Sequence, residues 1–448
     1  MTSELGLRIT GNAFVDSGIY ALKTFCEKDL NDITKDDLIN LSETISKLYP
    51  KAKWNKNMYT VFPNLQPLTY KVEGKEEKYF KVLKNLLDNI PPVNDSGDCM
   101  ACGRRNTDTQ VVKSNVPLTG SGSLKNYFSF ANDGADYCNL CTLLIQFSPL
   151  VMYASGGKMI LLHSDSSKVM NHWSKKALKN ISKQESMQVY TGCFNEGYTN
   201  PQNAVFKMIM DIIRDSDERW ADEYPSLNFY YFTNYNQGPE LEIFNVPTNV
   251  FRFLTYIPPD EYSNWNMIVR KGYVYVKWDK VKELNDYKNK RNTVYNNLLT
   301  NKSILYYFFN RKYKKAYCSW DLLKYYMMEV RKMDEERLET IKSLGDKLAE
   351  YIKSNNDTKV LHNLETAKNY NSFRNILRKV IKKRIANSEE ELLFTYDEYV
   401  KYLFPEGNLT WRETQDLLLF RIYEKLHEWL VAENYVEEFK DETDIEEE

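Results

Sequence analysis

Long apolar runs are missing from this chain of 448 residues. None approaches the ~18 consecutive apolar residues that a membrane span requires. The opening MTSELGLRITGNAF lacks the basic-then-apolar layout of a secretory leader, so a cytoplasmic protein of a prokaryotic type with no membrane partner is expected. A dominant charge is missing as well. Lys and Arg number 60 against 62 Asp and Glu, a net charge of −2, which leaves only local patches to attract nucleic acid. The four histidines (His163, His172, His362 and His427) are scattered, and no internal repeat recurs at a fixed period.

Signatures of catalysis are missing too. In ASGGKMI a Gly-Lys pair is present, but Met152 stands where a phosphate-binding loop needs its first glycine and Met159 where it needs Ser or Thr. GSGSLKN lacks the third glycine of a dinucleotide fingerprint. The acidic run Asp334, Glu335, Glu336 reads as a solvated helix face. No catalytic residue is assigned and a non-enzymatic protein is expected. The alternative kept open is a zinc-stapled nucleic-acid-processing enzyme whose catalytic residues are dispersed.

Cysteine is scarce, seven in all, yet four fall in two Cys-x-x-Cys pairs, GDCMACGRR and DYCNLC. A two-residue spacer lets one tight turn aim both sulfurs at one centre, so Cys99, Cys102, Cys138 and Cys141 form a candidate four-thiolate site for structural Zn2+. Redox dithiols or vestigial cysteines are the bland alternative, and iron–sulfur ligation normally uses other spacings. Four protein thiolates close the coordination shell, so such an ion would brace a fold and leave no open position to activate water. Cys26, Cys193 and Cys318 read as small core residues.

The length predicts two or three domains of roughly 100–200 residues each. The pattern gives an α+β protein: a mixed α/β domain over 1–280 with a zinc-binding insertion at about 95–145, a helical bundle over 281–440, and an acidic disordered tail, DETDIEEE, at 441–448. NAFVDSGIYALKTFCEKD and TKDDLINLSETISKLYP predict early helices, the first burying Phe14, Leu22 and Phe25, the second capped by Thr34 with Asp37 at its third position. KMILLH (158–163) and GYVYVKW (272–278) predict strands, and LNFYYFTNYNQGPELEIFNV two strands joined across 234–239. Beyond residue 280, apolar residues recur every three or four positions, as in an antiparallel bundle.

Two features suit nucleic acid. In SFRNILRKVIKKRIANS a helix would align Arg374, Arg378 and Lys382 along one face, with Lys379 and Lys383 in a neighbouring row and Phe373, Ile376, Leu377, Val380 and Ile381 on the packing side. Such a row can follow a phosphate backbone, although a solvated face with local ion pairs accounts for it equally well. In the hairpin turn, Asn236 and Gln237 carry amides able to bond base edges and Gly238 permits close backbone approach, while ordinary turn chemistry explains the same residues. Asn12 is a nucleic-acid contact or a helix cap, and Arg104 and Arg105 meet a phosphate or a neighbouring subunit.

ITGNAFVDSGIYAL, the paired Cys-x-x-Cys hooks, VPLTGSGSLKNYFSF between them and FYYFTNYNQGPELEIFNVP, in that order, resemble the CXXC-CXXC family of large subunits of type I-B CRISPR interference complexes (Cascade). The resemblance covers roughly residues 5–260, and the helical remainder more loosely. It implies a non-catalytic subunit that reads the protospacer-adjacent motif in target double-stranded DNA and helps to open the duplex. The implied partners are CRISPR RNA, the Cascade backbone and small subunits, and a separate helicase-nuclease. Guide pairing then supplies most of the sequence specificity.

Overall fold

The computed structural model describes residues 5–68, 71–108, 110–120, 134–214, 224–235, 237–388 and 391–437. The expected tail at 441–448 and Asn236 lie outside the described residues. The chain divides into two compact units, Met1–Thr248 and Asn249–Glu448.

The first unit is built around helix α1 (Ala13–Cys26), which Asn12 caps by accepting the Phe14 and Val15 amide protons. Val15, Ile19, Ala21 and Leu22 are buried, while Phe25, expected inside, is 38% exposed, because the last turn of α1 runs out of the core. Helix α2 (Lys35–Leu48) starts in the expected capping box: the Asp37 amide donates to Thr34 Oγ1, and Asp37 Oδ2 accepts from the Thr34 amide at 2.8 Å. Helices α3 (Ala52–Val61) and α4 (Lys75–Asp88) follow, and Trp54 of α3 stacks on Tyr49 with ring centres 5.6 Å apart.

After the cysteine segment come α5 (Asn139–Phe147) and a hairpin of β1 (Tyr153–Ser155) and β2 (Lys158–His163). Then follow α6 (Ser167–Met187), α7 (Pro201–Arg214) and a second hairpin, β3 (Leu227–Thr233) with β4 (Glu240–Val246). These strands form one antiparallel sheet in the order β1-β2-β3-β4, with Leu161 opposite Tyr230 and Phe229 opposite Phe244. Helix α1 lies against β2, where Ser17 Oγ donates to the Leu162 carbonyl, and Phe14 meets Phe232 of β3 edge-on.

The second unit begins with α8 (Thr248–Tyr256) and α9 (Tyr262–Lys271), not near residue 280 as the sequence suggests. The reason is packing: Phe253 of α8 meets Trp265 of α9 at 5.3 Å and Tyr326, deep in the second unit, at 5.4 Å. The strand expected at 272–278 is absent there. Only Tyr273 makes a bridge, to Asn292, and Tyr275 has φ +61°, which no strand accommodates.

Helix α10 (Thr293–Leu299), a two-residue ladder of β5 (Phe309–Asn310) with β6 (Lys315–Ala316), α11 (Trp320–Glu329) and α12 (Glu335–Ser354) come next. They lead into α13 (Thr358–Thr366), α14 (Tyr370–Ala386), a short α15 (Tyr396–Glu398) that continues as a π-helical turn, and α16 (Trp411–Ala432). Helices α12 and α16 form the main pair and run parallel, not antiparallel as the sequence suggests: Arg337 near the start of α12 meets Glu413 and Thr414 near the start of α16, and the bidentate Arg421–Asp346 pair joins the two further along at 2.7 and 3.0 Å. The protein is therefore α+β with a helical C-terminal region. No helix among the described residues is long and apolar enough to cross a membrane.

Candidate metal centre

The two cysteine hooks are made by different local devices. In the first, residues 94–105 turn back on themselves: the Asn94, Gly97 and Cys99 amides donate to the Arg104, Gly103 and Arg105 carbonyls, and the Gly103 amide closes the knuckle onto Cys99 O at 2.8 Å. Gly103 sits at φ +60°, where a side chain would be strained, and a Cβ on Gly97 would come within 2.4 Å of the Arg105 backbone. The second hook is a helix start. Cys138 caps α5, its sulfur accepting the Cys141 amide at 3.5 Å, and its own amide donates to Cys99 Sγ at 3.3 Å. Thiolate charge is favoured at this end of a helix.

All four sulfurs lie within 4.8 Å of one another, and Cys102 Sγ and Cys138 Sγ are 3.9 Å apart. A tetrahedral ion with bonds of about 2.3 Å to sulfur needs sulfurs separated by about 3.8 Å, which the Cys102–Cys138 pair meets and the whole cluster approaches. Cys99, Cys138 and Cys141 are buried and Cys102 is half-buried. The crowding splits their acidities. Hydrogen bonds from neighbouring thiols, Cys102 first, pull Cys99 below the ordinary thiol range, and those from Cys138 and Cys141 lower Cys102 to about 6. The same sharing, led by Cys102, pushes Cys138 and Cys141 up. Only a cation makes four adjacent thiolates compatible at neutral pH.

The hooks are mounted on the N-terminal segment. Arg8 donates to the Cys102 carbonyl at 2.6 Å, and Arg104 to the Gly6 carbonyl at 3.4 Å. Arg105 is buried and donates to the carbonyls of Leu5 and Pro91. Asn12, besides capping α1, donates from Nδ2 to the hydroxyl of Tyr137, next to Cys138. The Asn12 amide and the Arg105 guanidinium are thus engaged in holding the cysteine segment.

Asp16, wholly buried, locks the loop ahead of α1: its carboxylate accepts from the Thr10 amide and hydroxyl, the Gly11 amide and His163 Nε2, at 2.8, 2.8, 2.9 and 3.1 Å. The sequence offered no sign of the pairing with His163, which lies 147 positions away.

Asn234 is a second residue that sequence reasoning missed. Fully buried at the hairpin turn, it donates from Nδ2 to the Val61 and Lys113 carbonyls and accepts from the Leu118 amide, tying the segment between the hooks to the sheet. Its signal is an Asn at the inner end of a predicted turn, where a buried amide has fixed partners to find. Gln237 and Gly238 are exposed at the same turn, with open space above Gly238.

On α14, Phe373, Leu377 and Val380 are buried as expected, but Ile376 and Ile381 are only half-buried. Arg384 occupies the buried face instead, bonded to the Glu391 carbonyl at 3.1 Å. Arg378, Lys379, Lys382 and Lys383 are exposed, with Lys383 paired to Asp357 at 2.7 Å. Arg374 is half-buried over the Tyr370 ring. Of the other cysteines, Cys193 and Cys318 are buried, whereas Cys26 is half-buried near Asp37, not a core residue. Burial pushes the Cys26 thiol up to about 11.

Among curated proteins none matches the chain. Residues 92–153, which contain both hooks, match the family model of a CRISPR-associated protein (Cas_CXXC_CXXC).

Proposed function

We propose that the chain is the non-catalytic large subunit of a type I-B CRISPR RNA-guided surveillance complex, which reads the protospacer-adjacent motif in target DNA, aids duplex opening and recruits a separate helicase-nuclease. The observation that carries this reading is the convergence of Cys99, Cys102, Cys138 and Cys141 within a segment that matches a CRISPR-associated family. The ion we assign to the quartet is zinc, since four thiolates at tetrahedral spacing suit it and leave no coordination position for chemistry. Its role is to hold the hook segment against the loop 5–12, giving a braced platform.

In this reading the exposed cations Arg378, Lys379 and Lys382 of α14 contribute sequence-independent phosphate contacts. Gln237 and Gly238, exposed at the β3–β4 turn, are the candidates for motif contact. The test is co-expression with the backbone subunits and CRISPR RNA, followed by duplex binding with targets that differ only in the flanking motif. Co-purification and a preference for one motif are expected. Failure to join the assembly, or cleavage of nucleic acid by the lone chain that one carboxylate substitution abolishes, would reject the reading.

A further inference from the structure

Residues 270–291 of the second unit, RKGYVYVKWDKVKELNDYKNKR, contain eight Lys and Arg against three Asp and Glu. They fold as a lobe closed at its neck, where the Val274 amide donates to the Arg291 carbonyl at 3.0 Å and the Thr293 amide to the Gly272 carbonyl at 2.8 Å. Its interior is aromatic. Tyr287, 1% exposed, meets Tyr273 edge-on at 5.0 Å and Trp278 at 5.1 Å, and the Arg270 guanidinium lies 5.2 Å from the Trp278 ring centre. The Asp286 carboxylate is turned to the lobe's own Lys282 and Glu283 amides, which removes one of the three acids as a partner for cations.

Two features of the surface are unexplained by this packing. Lys277, Lys280 and Arg291 are exposed and form no ion pair among the described residues. Tyr275 is 96% exposed and holds φ +61°, a backbone conformation that a bulky side chain adopts only under strain. An exposed ring on a strained residue, carried by a well-packed lobe and flanked by unpaired cations, supplies the two things a single strand needs: a stacking face and phosphate neutralisation. A duplex keeps its base faces stacked internally and has no use for that ring. An acidic protein surface would engage the cations and leave Tyr275 idle.

We infer that the lobe 270–291 is a binding site for single-stranded nucleic acid, with Tyr275 stacking on a base and Lys277, Lys280 and Arg291 neutralising the adjacent phosphates. This deepens the reading above by naming a ligand for the second unit, and it rests on that reading.

The experiment is fluorescence anisotropy with the full chain, using labelled oligo(dT) and oligo(rU) strands and a duplex of equal length over a salt series. The triple variant Lys277→Ala, Lys280→Ala, Arg291→Ala is expected to lower single-strand affinity at least roughly tenfold and to flatten its salt dependence by about 2 log units per log unit, from three phosphates at ~0.7 each. Tyr275→Ala is expected to cost roughly tenfold on single strands and nothing on the duplex, with Tyr275→Phe restoring the loss. Unchanged strand affinity in the triple variant would overturn the inference, as would equal losses on strand and duplex for Tyr275→Ala. A loss confined to binding of poly-glutamate would overturn it too and give the lobe to an acidic protein. If the variants leave strand binding intact while the assembled complex still prefers one motif, the lobe assignment alone fails. If the free chain binds strands as predicted but joins no complex, the lobe stands and the large-subunit reading fails.

Discussion

Asp16 and Asp37 are both acids near the start of a buried helix, held by donors of the loop before it, and only one of the two arrangements can be read locally. Thr34 and Asp37 are three residues apart, so the reciprocal capping pattern is visible in the sequence itself. Asp16 takes three donors from Thr10 and Gly11, six and five residues upstream, but the fourth, His163, comes from a strand far along the chain. For Asp37, burial by itself would raise the pKa, but hydrogen bonds from Lys28 Nζ and from the Thr34 amide and hydroxyl outweigh it and hold the carboxyl at about 2. An unfolded Asp titrates near about 3.9. A depressed carboxyl adds stability that is fully present above the unfolded value and disappears as pH falls through the folded one. Asp37→Ala is therefore expected to cost about 1 kcal/mol at neutral pH. Thermal melts of the two proteins should converge as pH drops from about 4 to about 2; a gap that persists unchanged at the lowest pH would show that the carboxylate charge is not the cause.

At the scale of elements, Gly18 reads in the sequence as a weak point in the middle of a helix, and the structure gives it a purpose. A Cβ there would lie 1.8 Å from the Leu144 carbonyl oxygen, so α1 and α5 approach backbone to backbone, a contact open only to glycine. Because α5 carries Cys138 at its cap and Cys141 in its first turn, this approach also sets where the second hook stands. Gly18→Ala should force the helices apart and destabilise the first unit by roughly 2–4 kcal/mol. It should also reduce the metal retained through purification, whereas a surface alanine change on α4 such as Lys84→Ala should alter neither. Urea unfolding and metal content of both variants are the measurements. Periodicity identified α2 because Leu38, Leu41, Ile45 and Leu48 recur on its buried face, whereas β2 was legible as a short apolar run that is buried on both faces over 159–162. Periodicity failed at 272–278, where alternating Tyr and Val imitate a strand but no neighbour offers a ladder, and Tyr273 folds inward on Tyr287 while Tyr275 stays exposed. A pattern of side chains specifies a strand only if a partner edge exists, and that is a property of the tertiary fold.

For the molecule as a whole, the cysteine centre was legible because each hook is a four-residue statement, while its mounting was not, because Arg8, Asn12 and Arg105 reach it from about 90 to 125 positions away or act through backbone carbonyls that carry no sequence signal. The boundary between units was misplaced for a similar reason: the helices after Thr248 look like any others until Phe253 is seen to share a core with Trp265 and Tyr326. If a metal ion supplies folding free energy on the order of 10 kcal/mol to the hook segment, its loss should be felt along that mounting and not uniformly. Removing the ion with a chelator, or substituting Cys138→Ser, is expected to speed amide hydrogen exchange at residues 94–105, at Ala135 and at the loop 8–12. The α12–α16 pair, with its own buried face, should keep its protection. Metal loss should become easier as pH falls, because the ligands bind as thiolates and protons compete with the ion for all four sulfurs. Exchange that stays slow at 94–105 after the metal is gone would mean that the knuckle holds through its backbone bonds alone, and that the ion is a passenger on a fold that does not need it.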